Sequence, residues 1–217
     1  GGPKALVEIA GRPLIAWCLD AFAKAGSISE IVIAAPAGHE EEVASLAPHA
    51  AVVTGGESRS ASVTNALRRV DAELVAVHDA ARPLVTAELI DAVVAKLESR
   101  PDAAGVIAAA PLTDTVKRAR EPRPAQGELP RGGPTIAKTE SRDHLWAAQT
   151  PQVFRTEALR AALAADPQLV AAATDDAVLV EKAGGKVLVE PATVTNLKVT
   201  TQDDLRIAES LLRNMTG

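Results

Sequence analysis

Apolar positions along the first half of the chain alternate between two spacings. Leu14 to Ala25 repeats apolar residues at helical intervals, and Gly26 stops the run. Ser29 to Ala35 (SEIVIAA) is a short β-branched strand ended by Pro36. Glu40 to Leu46 predicts a helix, Ala51 to Thr54 a strand, and Ser60 to Val70 a helix after the Gly55-Gly56 turn. Leu74 to Val77 then reads as a strand, Ala87 to Glu98 as a helix and Ala104 to Ala109 as a strand. Strands that alternate with helices make βαβ units, hence an α/β fold with a mostly parallel sheet covered on both faces. In such sheets ligands sit beyond the C-terminal ends of the strands.

The alternation breaks after Lys117. RAREPRPAQGELPRGGP (118–134) is rich in Pro, Gly and charge, and a structureless loop of that length is unusual inside a compact domain. It reads either as a mobile surface excursion or as a protruding arm that packs on a partner subunit. Regularity resumes at LWAAQTPQVF (145–154), with helices at Thr156 to Ala165 and Asp175 to Ala183. A strand at Lys186 to Glu190 and a last helix at Thr201 to Arg213 follow, and there is no internal repeat.

Composition narrows the function classes. The 217 residues suit one domain with a substantial core. Aromatics are 2% with no Tyr, so the stacking platforms of single-strand nucleic-acid binders are missing. A net charge of −5 argues against broad binding to DNA or acidic membranes, though not against a local basic cluster for a small anion. The single Cys18 forms no intramolecular disulfide, which makes a reducing cytoplasm the default. No apolar run approaches membrane-spanning length, and no signal peptide is read.

The strand 74–77 runs into HDAARP (78–83). Asp79 at a strand's C-terminal edge serves either as a helix cap or as a carboxylate for Mg²⁺, which takes oxygen ligands. Ala80 and Ala81 leave room for a ligand, and Arg82 offers a planar fork suited to phosphate. In Gly55-Gly56-Glu57-Ser58-Arg59 the paired glycines let the backbone approach a ligand, but the segment equally suits a plain strand-to-helix turn. Lys4 and Lys198, read alone, are solvated charges, and Asp175-Asp176 reads as a structural helix N-terminus. The four His residues form no Ser/His/Asp set and no HExxH.

HDAARP, GGESRSASV, PLTDTVK, QTPQVF, TDDA and NLKVTTQDDL, in this order, together with the opening GGPKALVEIAGRPLI, resemble the 2-C-methyl-D-erythritol 4-phosphate cytidylyltransferase family across essentially the whole chain. The resemblance implies a single Rossmann-like nucleotidyltransferase domain with a dimerisation arm at about residues 117–144, and a homodimer. It implies transfer of the cytidylyl group of CTP to methylerythritol phosphate with Mg²⁺. Carried over by motif, Lys4 contacts the triphosphate. Gly56, Glu57 and Ser62 read the cytosine, with Arg59 supporting that loop. Asp79 binds the metal near the ribose, beside Ala80. Arg82, Thr115, Arg142, Thr174 and Lys198 hold the methylerythritol phosphate, and Arg142 and Lys198 position its attacking phosphate. Thr115 and Arg142 flank the arm and would serve the partner's site. Glu57 departs from the Asp usual in the family. The family's first strand and Gly-rich loop, expected just before Lys4, are not in the sequence; their omission is the expected reason. The alternatives are a ribitol 5-phosphate cytidylyltransferase and an inactive nucleotide-binding module. A hydride-transfer Rossmann enzyme lacks its GxGxxG.

Overall fold

Lys4–Leu6 form a single 3-10 turn in the computed structural model, which describes residues 3–121 and 133–216. A small antiparallel hairpin follows, with β1 (Glu8–Ile9) paired to β2 (Arg12–Pro13). Its two-residue turn puts Ala10 at φ 49° and Gly11 at φ 76°, the left-handed pair that a tight hairpin needs. Helix α1 (Leu14–Lys24) then buries Leu14, Ile15, Cys18 and Ala21.

The next elements follow the predicted alternation: β3 (Val32–Ala35), α2 (Glu40–Leu46), β4 (Ala51–Thr54), α3 (Arg59–Leu67), β5 (Leu74–Val77), α4 (Ala87–Glu98) and β6 (Gly105–Pro111). Side chains fix two of the helix starts. Ser58 Oγ accepts the Ala61 N–H at 3.1 Å and Thr86 Oγ1 that of Leu89 at 3.3 Å.

Residues 118–134 are not the uniform loop that their composition predicts. β7 (Lys117–Ala119) pairs antiparallel with β8 (Ile136–Thr139), so the excursion has a two-stranded stem. β8 is exposed along its length, with Ile136 57% accessible. Residues 122–132 of the stretch lie outside the described residues. β9 (Trp146–Arg155) follows, then α5 (Thr156–Leu163), α6 (Pro167–Ala172), α7 (Asp176–Lys182), β10 (Val187–Pro191) and α8 (Gln202–Thr216).

The four-stranded sheet has the order β10-β6-β9-β5. β10 runs parallel to β6, while β9 runs antiparallel to both β6 and β5. Three strands therefore share one direction and β9 alone opposes them. β3 and β4 form a separate parallel pair. Period-two alternation distributes the core to both faces. Ile107 and Phe154 meet Leu67, Leu159 and Leu179 from α3, α5 and α7. Val106, Ala108 and Val153 meet Val93, Val94 and Leu97 from α4.

Among the described residues β3 pairs only with β4 and β5 only with β9. An apolar cavity of about 390 Å³ lies between these strands, lined by Ile33, Ala35, Val75, Val77, Cys18 and Phe22.

Candidate active site

β5 ends at Val77, and α4 does not begin until Ala87. The intervening HDAARP turn closes with the Arg82 N–H on the Asp79 carbonyl at 2.9 Å. His78 is its half-buried pin. Its Nε2 meets the Arg82 carbonyl at 3.3 Å, an acceptor only, so the ring proton sits on Nε2. Its Nδ1 then accepts from the Thr150 hydroxyl at 3.0 Å, and the same hydroxyl oxygen accepts the Asp79 N–H at 3.1 Å. Burial pushes the His78 imidazole down to about 4, so it folds neutral. An unfolded imidazole takes up its proton near pH 6.5, so stability is lost as pH falls from about 6.5 towards 4, by on the order of 3 kcal/mol. Denaturant titrations at pH 7 and pH 4.5 should show this loss, and His78→Phe should reduce it.

Asp79 is the electrostatic centre of the turn. Its Oδ2 accepts from Lys198 Nζ at 2.7 Å and its Oδ1 from Arg59 Nε at 3.0 Å. Burial pushes this carboxyl up, but Lys198 and Arg59 outweigh it and hold it at about 2. The other end of Arg59 reaches further in, where Nη1 lies 2.8 Å from Oδ2 of the fully buried Asp176. Lys198 is placed by stitching between loops. The Val199 N–H donates to the Ala81 carbonyl at 2.8 Å, and buried Asn196 donates to Gln149 Oε1 at 2.8 Å and the Thr150 carbonyl at 2.9 Å.

The glycine turn between β4 and α3 lies beside this cluster, since α3 begins at Arg59. The Gly56 N–H donates to Ser62 Oγ at 3.0 Å, which in turn donates to the Ser58 carbonyl at 2.9 Å. A Cβ on Gly56 would lie 2.3 Å from Ala61 Cβ and 2.9 Å from the Ala61 carbonyl carbon. The first turn of α3 therefore excludes any side chain there. Gly56→Ala should destabilise the protein by about 1–3 kcal/mol, as overpacking does. Thermal melting of that variant checks the effect. Glu57 is exposed on the turn.

The remaining predicted residues are placed less centrally. Arg82 donates from Nη1 to the Asn196 carbonyl at 2.7 Å and from Nη2 to the Ala148 carbonyl at 3.3 Å. It thus ties the HDAARP turn to β9 and the 196–198 segment. Ala80, and Ala5 and Leu6 of the Lys4 turn, pack against the same buried cluster of Ile15, Ile33 and Ala35. Thr174 precedes Asp175, the cap of α7, whose Oδ1 accepts from Val178 N at 3.1 Å. Thr115 and Arg142 lie at the root of the β7–β8 stem, where Arg142 Nη1 donates to the Thr113 carbonyl. Among the described residues no hydrogen bond or ion pair joins either of them to the Asp79 cluster. The residues that sequence reasoning missed are the supports: Thr150, Asn196, Gln152 and above all Asp176. Asp176 carried a signal only together with Asp175, and it was the structural signal of a helix N-terminus.

A carboxylate paired with Lys198 and Arg59, beside a glycine turn at the C-terminal ends of β4 and β5, lies where α/β proteins hold small ligands. A family model described as 2-C-methyl-D-erythritol 4-phosphate cytidylyltransferase matches residues 1–214. The chain belongs to this family, whose members are CTP-dependent nucleotidyltransferases. It is 38% identical to the cytidylyltransferase of that name from Rubrobacter xylanophilus, over 98% of this chain and 88% of the relative. It is 41% identical to that from Frankia casuarinae, over 98% and 75%. Among solved structures, the enzyme of that name from Thermus thermophilus superposes with a TM-score of 0.79 at 32% identity, covering 98% of this chain and 95% of the other. The 4-diphosphocytidyl-2C-methyl-D-erythritol synthase from Anaerococcus prevotii superposes at 0.81 with 26% identity, covering 98% and 92%.

Proposed function

We propose that this chain transfers the cytidylyl group of CTP to 2-C-methyl-D-erythritol 4-phosphate, giving 4-diphosphocytidyl-2-C-methyl-D-erythritol and pyrophosphate. The observation that carries the residue roles is Asp79, held by Lys198 and Arg59 at 2.7 and 3.0 Å where β5 ends. An oxygen of the methylerythritol phosphate attacks the α-phosphorus of CTP. The new P–O bond forms as the bond from the α-phosphorus to the bridging oxygen breaks, and pyrophosphate leaves with that oxygen. Such a displacement needs positioning and charge neutralisation more than covalent help from the protein.

In this reading Gly56, Glu57 and Ser62 face the cytosine, and Asp79 and Ala80 line the ribose side. Lys4 neutralises charge on the triphosphate. Lys198, Arg82 and Thr174 take the substrate phosphate with Thr115 and Arg142 of a second subunit, and Lys198 and Arg142 aim it. Mg²⁺ fits Asp79 as a lone carboxylate ligand, because this ion keeps waters and phosphate oxygens in its shell. Among the described residues no group of three or more His, Cys, Asp or Glu forms a ready metal cage. The bound ion would supply charge neutralisation to the triphosphate.

Two chains would join through the β7–β8 stem, whose exposed Ile136 and nearby Trp146, 43% accessible, would be covered. The dimer would be required for turnover. Activity should therefore fall on dilution below the dimer dissociation constant, and specific activity that stays constant through dissociation measured by ultracentrifugation would refute it. The cytoplasm is the proposed location. Among the described residues no helix is long and apolar enough to cross a membrane.

The deciding experiment is pyrophosphate release by the full protein with CTP and Mg²⁺, using methylerythritol phosphate and ribitol 5-phosphate in parallel. Release with the first alone is expected. Release only with ribitol 5-phosphate would move the chain to a different polyol phosphate, and release with neither would leave a nucleotide-binding module.

A further inference from the structure

Asp176 is a costly residue to keep. It is 0% exposed, and among the described residues its Oδ1 has no hydrogen-bond partner. Its one close opposite charge is Arg59 Nη1, at 2.8 Å. Burial drives its carboxyl pKa up, and Arg59 recovers only part of that, while Asp175 and Asp79 add repulsion. Burial works against the charge of Arg59 as well, and Asp176 and Asp79 together outweigh it, so the guanidinium stays charged between the two carboxylates. A buried, poorly solvated carboxylate detracts from stability, so its use lies elsewhere.

Its surroundings are rigid. Asp175 caps α7 through the Val178 N–H at 3.1 Å and accepts from Gln152 Nε2 at 2.9 Å. Gln152 Oε1, on β9, accepts the buried Ala177 N–H at 3.2 Å. The start of α7 is thereby fastened on both sides of Asp176 to a central strand. Arg59 is less constrained, with its side chain 32% exposed, and its guanidinium is gripped at two ends, by Asp176 and by Asp79 Oδ1. Two points fix the plane of a guanidinium, where one leaves it free to turn. Lys198, 43% exposed and on the other Asp79 oxygen, has no such second anchor among the described residues.

We propose that Asp176 is a positioning residue for the nucleotide side of the site: it holds Arg59 from beneath so that Arg59 fixes Asp79 Oδ1, and Asp79 Oδ2 is left as the oxygen that exchanges Lys198 for a ligand. This deepens the function proposed above and rests on it for the placement of CTP beside Asp79. Asp176 touches no reacting atom in this scheme. Its effect passes entirely through Arg59, and this separates it from a residue that merely stabilises α7.

The test is a double-mutant cycle read by calorimetric titration of CTP into the full protein with Mg²⁺, together with KM for methylerythritol phosphate. The variants are Asp176→Asn, Arg59→Lys and the double. Lysine keeps the charge of Arg59, but its single nitrogen cannot grip both carboxylates. Each single change should weaken CTP about tenfold, and the double should weaken it no further than either alone. KM for methylerythritol phosphate should stay within twofold of wild type. CTP affinity unchanged in Asp176→Asn, or losses that multiply in the double, would overturn the proposal. If Asp176→Asn does not fold, Arg59→Lys decides: a tenfold loss upholds the two-ended grip and an unchanged affinity refutes it. Wild-type protein that binds CTP but releases no pyrophosphate would defeat the proposed reaction while the cycle still reports on Asp176. Wild-type protein that binds no CTP would defeat both.

Discussion

Asp79→Ala should lower kcat/KM for cytidylyl transfer by about a thousandfold, the scale on which removal of a group that organises transition-state charge acts. The change removes the acceptor shared by Lys198 at 2.7 Å and Arg59 at 3.0 Å. Both cations then face each other without the anion between them, and the proposed metal loses its protein ligand. Asp79→Asn makes the sharper comparison. It keeps the size of the side chain but replaces one carboxylate oxygen with a donor, which repels a cation. Its activity should fall nearly as far as that of Asp79→Ala. A carboxyl held at about 2 also contributes stability that is present above its unfolded pKa near 3.8 and is lost as pH falls towards 2. That window lies below the one set by His78, so the two groups are separable in a pH series of unfolding midpoints. Turnover of Asp79→Ala within tenfold of wild type would mean that Asp79 serves the turn and not the reaction.

Much of this was legible in the order of residues. The strand–helix alternation from Leu14 to Ala109 placed β4, α3, β5 and α4, which flank the glycine turn and the HDAARP turn, because buried strands and amphipathic helices carry distinct periods that survive without tertiary context. β9 was legible only as regularity. Its apolar run at 147–154 is interrupted by Gln149, Thr150, Pro151 and Gln152, and that polar content argues locally against a central strand. The structure shows what those residues do. Gln149 donates to the Thr193 carbonyl at 3.0 Å, Thr150 serves His78 and Asp79, and Gln152 pins α7. Each pairs with a residue at least 23 positions away in sequence. No local pattern announces such a partner.

The same limit explains Asp176. Its neighbour follows the capping rule, which is local, and a second aspartate in the first turn of a helix is favoured by the dipole anyway. Only the fold reveals that one of the pair points inward to an arginine 117 residues earlier (176 − 59). Glycine is a further case. Gly56 was legible as part of a strand-to-helix turn, with a ligand role and a plain turn left equally open, whereas Gly105, at the start of a buried strand, carried no signal of its own.

Gly105 sets up the largest stability effect expected in the molecule. It sits directly opposite Phe154 in the β6–β9 register, and a Cβ built on it would lie 2.4 Å from Phe154 Cδ1 and 2.8 Å from Cε1. The ring therefore occupies the volume a side chain would take, and is 0% exposed among Leu67, Leu159, Leu179 and Val180. Phe154→Ala should cost about 3–5 kcal/mol, towards the upper part of that range, because the facing glycine has nothing to collapse into the cavity. A loss of that size is a large fraction of the roughly 5–15 kcal/mol that holds a domain together, and should lower the melting temperature by about 10 °C. Gly105→Ala alone should destabilise by about 1–3 kcal/mol through overpacking. In a Phe154→Leu background, where the ring is gone, the same Gly105→Ala should cost less or become favourable. That reversal, read from denaturant midpoints at constant m-value, is specific to the contact. Additive losses across the cycle would show that ring and glycine act independently. The consequence reaches the site through β9 itself. Gln152 lies two residues before Phe154 on the same strand and fastens α7, so a β9 that shifts to fill the void moves the anchor of Asp176. Phe154→Leu should therefore weaken CTP binding more than its modest stability loss alone would predict, although the ring packs against Leu67, at the opposite end of α3 from Arg59.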